Sequence, residues 1–173
     1  MRKLLTLKHW HLFLLVFICG AWTSPSPLKE IINSIATVTF SLWIYAISIF
    51  GQERIAELGL KPMNVTLFKI NCVIVAAFLL FAFIASPNFE PTRSETVEAK
   101  DIPLILGALY LFFAIFQVLF FACKTIAKIE LRREVAFGDY FTNVILMCFF
   151  FIGVWILQPK INRLFTSNED VVQ

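Results

Sequence analysis

The stretch KTIAKIELRREVAFGDY, residues 124–140, sets seven charged residues between two apolar runs, LILGALYLFFAIFQVLFFAC at 104–123 and FTNVILMCFFFIGVWIL at 141–157. Ala127, Leu131 and Val135 recur every four residues, and Lys124, Lys128 and Arg132 form a second stripe. The island therefore reads as a helix that continues the run before it. Glu130 and Arg133 are three apart, a spacing at which side chains pair on a helix. Gly138 suits the end of that helix and Asp139 the cap of the next. Between such neighbours the island is expected to stay in water while they enter lipid.

Composition points the same way. Of the 173 residues, 59% are hydrophobic and 16% charged, against about 25% charged in soluble domains. Twenty phenylalanines exceed what one water-soluble core of this length holds, so the surplus apolar surface calls for a bilayer. A net charge of +3 gives no argument for nucleic acid. Cys19, Cys72, Cys123 and Cys148 fall in or beside different apolar segments, with no Cys-x-x-Cys pair, and read as small hydrophobes.

Five apolar segments are long enough to consider as spans, at about 5–22, 31–50, 67–85, 102–123 and 141–157. The runs are unbroken rather than alternating, which favours helices over barrel strands. Pro103 suits the first turn of the fourth, and Pro159 is expected to stop the fifth. The fold expected is all-α: one integral membrane domain over 1–173, a five-span bundle with short loops, its fourth span extended into a charged cytoplasmic helix. With the N-terminus inside, ten Lys and Arg fall on the cytoplasmic side and five outside, the bias expected of a membrane protein oriented this way. Lys160 and Arg163, placed outside, run against it. The first segment has a rival reading as a cleaved secretory signal, with small residues at Cys19 and Ala21.

Candidate sites are few. Lys128, Arg132 and Arg133 offer a docking surface for a protein partner or for anionic headgroups, or else they only set topology. Ser34, Thr37, Ser41 and Ser48 share one face of the second span, as a helix-packing surface or as a polar path for a solute. His9 and His11 are two apart on one segment and cannot supply opposed axial ligands, so they read as interfacial residues. Lys69 and Asn71 read as a snorkelling cation and an interhelical hydrogen bond. Asn-Val-Thr at 64–66 matches a glycosylation sequon on the wrong side. No catalytic, cofactor-binding or metal-ligating pattern stands at useful spacing, so neither an enzyme activity nor a cofactor is expected.

MNVTLFKIN at 63–71, KTIAKIELRREVAFGDYF at 124–141 and above all IGVWILQPKINRLF at 152–165 resemble small uncharacterised multi-pass membrane proteins common in Bacteroidetes. Phe151 stands where those proteins often carry proline. The resemblance implies a bacterial inner-membrane location and brings no activity or site residues. The function expected is a non-enzymatic accessory or scaffold that binds other membrane proteins or itself, and the alternative is a small oligomeric transporter or channel using the Ser/Thr face.

Overall fold

The structure, a computed structural model, describes residues 5, 8–14, 27–85 and 102–166. Among these, six helices and no strand are present: α1 (His9–Phe13), α2 (Pro27–Glu57), α3 (Thr66–Ala85), α4 (Ile102–Leu131), α5 (Phe137–Cys148) and α6 (Phe150–Thr166). The chain is all-α. Two stretches, Ser34–Glu57 of α2 and Ile102–Leu131 of α4, are long and apolar enough to cross a membrane. Most of the predicted first span and the acidic stretch at 90–101 lie outside the described residues. Where one domain is expected, the chain divides into two compact units, Met1–Met63 with Leu119–Gln173, and Asn64–Val118.

In the smaller unit, the Asn64 side chain accepts a hydrogen bond from the Thr66 N–H at 2.8 Å and so caps α3, which gives the sequon a structural role. Asn71, fully buried on α3, donates to Gln117 at 3.1 Å and accepts from the Tyr110 hydroxyl at 2.9 Å, both on α4. A buried amide in apolar surroundings is costly unless bonded, so this triad fixes how α3 and α4 meet. The outer face of α4 is apolar: Leu104 is 75% exposed and Phe112 63%. Lys69 is exposed, as the snorkelling reading requires.

The larger unit is built around the end of α4. Ala122, Cys123, Thr125, Ile126, Ala127, Lys128 and Ile129 are all buried, so the first part of the charged extension is core helix rather than a wet projection, while 130–134 are exposed. α2 comes so close that a Cβ on Gly51 would stand 2.1 Å from Thr125 Cγ2, and only glycine permits that approach. α2 ends in a Schellman motif: Leu60 N–H reaches Ile55 C=O at 3.0 Å, Gly59 N–H reaches Ala56 C=O at 2.9 Å, and Gly59 takes φ 73°. α4 ends differently. Arg132, not Gly138, adopts the left-handed conformation (φ 51°) and closes the helix through its N–H on Lys128 C=O. Gly138 lies inside α5 instead, and Asp139 caps α5 from its third position by accepting the Ala136 N–H at 2.8 Å.

The predicted fifth span is not one helix. It breaks at Phe149 and folds back. Asn143 on α5 and Lys160 on α6 are bonded at 3.3 Å, whereas seventeen residues of straight helix would separate them by about 25 Å. Gly153 makes the corner possible, since a Cβ there would overlap the Leu146 carbonyl oxygen. Pro159 does not end α6, which runs on to Thr166 because Leu157, Gln158 and Ile161 beside it are buried. α1 lies along α6: Phe13 packs on Phe151 and Trp155, and Gln158 reaches the Leu5 carbonyl.

Candidate functional site

Two polar clusters stand out in the larger unit. The first gathers at the end of α4. Lys128, 2% exposed, donates to the Lys61 carbonyl at 2.8 Å and pairs with Glu134. Gln52 on α2 donates to Thr125 Oγ1 at 3.2 Å and accepts the Met63 N–H at 2.7 Å, so the 58–65 connection is held at two points. Arg133 forms a two-pronged pair with Asp139 at 2.8 and 3.1 Å, and Lys160 meets Glu130 at 2.9 Å. Together these contacts tie four chain segments to one helix end.

Glu134 and Asp139 are held ionised. The Lys128 hydrogen bond lowers the Glu134 pKa, with help from the charges of Lys124 and Lys61. The Arg133 bonds, then the Ala136 N–H, lower that of Asp139. A proton donor at neutral pH needs the opposite shift. The arrangement does electrostatic anchoring.

The second cluster lies in the core. Gln158, fully buried, accepts from Trp43 Nε1 at 2.8 Å and donates to the Leu5 carbonyl and to Asn162 Oδ1, each at 3.1 Å. One amide therefore joins α2, α6 and the chain ahead of α1.

The sequence-predicted residues are dispersed. Lys128 is buried and offers no docking surface, because it is the anchor of the clamp. Arg132 and Arg133 are exposed, and Arg133 is engaged with Asp139 rather than with Glu130. On α2, Ser48 is buried with its hydroxyl unpartnered, Ser34 is half-buried, and Thr37 and Ser41 are exposed, so the four do not share one environment. Gln52, Lys61, Glu134, Gln158 and Lys160 carry the clusters and were not singled out from the sequence. Gln158 alone left a signal there, a lone amide at the end of an apolar run. Among the described residues, no three His, Cys, Asp or Glu side chains gather. Compared with known protein families, curated proteins and solved structures, the chain matches none.

Proposed function

We propose that the chain is a multi-pass protein of the bacterial cytoplasmic membrane that serves as a non-enzymatic accessory or scaffold for other membrane proteins. The observation that carries this is inverted polarity. On α5 the outward residues are Phe137, Phe141 and Ile145, while Asn143 faces in; on α6 they are Phe151, Ile152, Trp155 and Ile156, while Gln158 faces in. A water-soluble fold shows the reverse, and polar residues turned inward in bonded pairs are what lipid demands. On α4, only 6% of the most apolar stretch is buried. Lys128, Glu134, Arg133, Asp139, Lys160 and Glu130 are engaged with one another, and the broad apolar helix faces are the surface offered to membrane partners.

The expected five crossings become four, by the first segment, α2, α3 and α4, followed by the α5–α6 hairpin entering and leaving from the inner face. At about 1.5 Å per residue, twelve-residue α5 spans about 18 Å, short of the roughly 30 Å core. The Lys160–Glu130 pair and the Gln158–Leu5 bond support both chain ends lying beside the charged end of α4. Moving Lys160 and Arg163 to that side turns the Lys and Arg ratio from ten to five into twelve to three. The first segment is retained in this reading, since Leu5 and Leu12 are buried. Reporter fusions test it: inside at both termini, outside in 86–100. Site-directed photo-crosslinking from Leu104 or Phe112 in native membranes tests the scaffold role, which fails if only lipid adducts form.

A further inference from the structure

Lys128, whose ammonium bonds Glu134 and the Lys61 carbonyl, stands one turn beyond Lys124 on α4, so Lys61 and Lys124 belong to the same helix end, and neither forms an ion pair among the described residues. The charges of both also help to lower the Glu134 pKa. Lys124 stands one turn of α4 beyond Phe120. Phe120 meets Phe137 with centroids 6.1 Å apart, and Phe137 meets Phe141 at 5.4 Å. Phe137 is 54% exposed and Phe141 47%. Lys124 therefore adjoins an open aromatic face, an arrangement that a molecule with an anionic head and an apolar tail complements.

We propose that Lys61, Lys124 and the Phe120–Phe137–Phe141 face form a binding site for an anionic phospholipid. Its phosphate lies against the two ammonium groups and its acyl chain along the rings. The proposal rests on the membrane reading above, and it adds a defined lipid site to a protein otherwise surrounded by bulk lipid. Sequence-independent orientation by positive charge needs no such site and predicts no dependence on these two lysines over other exposed cations.

The test uses the full-length chain, delipidated in detergent and equilibrated with mixed micelles of phosphatidylglycerol and phosphatidylcholine, with bound lipid counted by native mass spectrometry. The wild-type chain retains phosphatidylglycerol over phosphatidylcholine. K61Q/K124Q lowers that preference by about five-fold per cation removed, while K61R/K124R and Arg163→Gln, which lies outside the proposed site, keep it. Lys61 holds Lys128 through its backbone carbonyl, so K61Q alone leaves the clamp in place and serves if the double variant does not fold. Equal retention of the two lipids by the wild-type chain, an unchanged preference in K61Q or K61Q/K124Q, or displacement of the lipid by inorganic phosphate overturns the proposal. Carbonate extraction of native membranes is read separately. A chain that resists extraction but shows no anionic preference loses only the lipid site, and an extracted chain loses both readings.

Discussion

The Lys160 ammonium lies 2.9 Å from a Glu130 carboxylate oxygen, bringing the far arm of a helical hairpin to the end of the helix that precedes it. On the membrane reading proposed above, that pair sets α6 on the same face as the end of α4. A single span over 141–157 would carry Lys160 away from Glu130 by the thickness of the membrane.

A phosphatase or fluorescent reporter fused after Gln173 is expected to report the same side as one fused before Met1. Opposite reports would restore the single fifth span.

The approach of α2 to α4 depends on Gly51. Gly51→Ala places a methyl against Thr125 Cγ2 and is expected to destabilise the protein by about 1–3 kcal/mol. Thr125→Ser removes that methyl and keeps the hydroxyl that Gln52 bonds, so G51A/T125S is expected to recover most of the loss. Thermal denaturation in detergent reads both, and an unrescued double variant would place the strain elsewhere.

Gln158→Leu leaves the Trp43 indole N–H and the Leu5 carbonyl without their partner in the core. A cost of about 1–3 kcal/mol follows from stranding buried polar groups. Deleting the first fourteen residues is expected to destabilise the chain as well, and the two changes combine sub-additively because they break a shared contact. Full additivity of the two losses counts against the link.

Glu134 and Asp139 have pKa values below the ordinary carboxylate range, because Lys128 and Arg133 bond their ionised forms. Such groups stabilise the fold fully above the unfolded value of about 4, and the contribution is lost as pH falls through the lower folded value. The melting temperature is therefore expected to drop on acidification below about pH 4, and E134Q/D139N should show a shallower drop. An acid limb identical in the double variant and the parent chain would assign that titration to other groups.

Helix content was legible in the sequence because apolar periodicity is local. α3 and α4 start within a residue of the expected 67 and 102, and α4 runs on into the island, although it stops at Leu131 and not at the expected Gly138. The turn at Phe149 was not legible, because FFF at 149–151 carries no breaker. What permits the turn is the missing side chain of Gly153 against a carbonyl seven residues back. Pro159 misled in the opposite sense, since burial of its neighbours outweighs the lost N–H. Lys128 looked like surface because charge alone says nothing of a carbonyl waiting at Lys61. Asn71 was read correctly, since an amide within an apolar helix has few options besides a neighbouring helix.

The corner at Phe149 also bears on biogenesis. On the membrane reading proposed above, a first arm of about 18 Å is too short to act as an ordinary stop-transfer signal. On that same reading, the hairpin docks only where α2 and α4 already present Trp43 and Glu130 to receive Gln158 and Lys160, and a variant that misses either contact would leave these two helices to quality-control proteases.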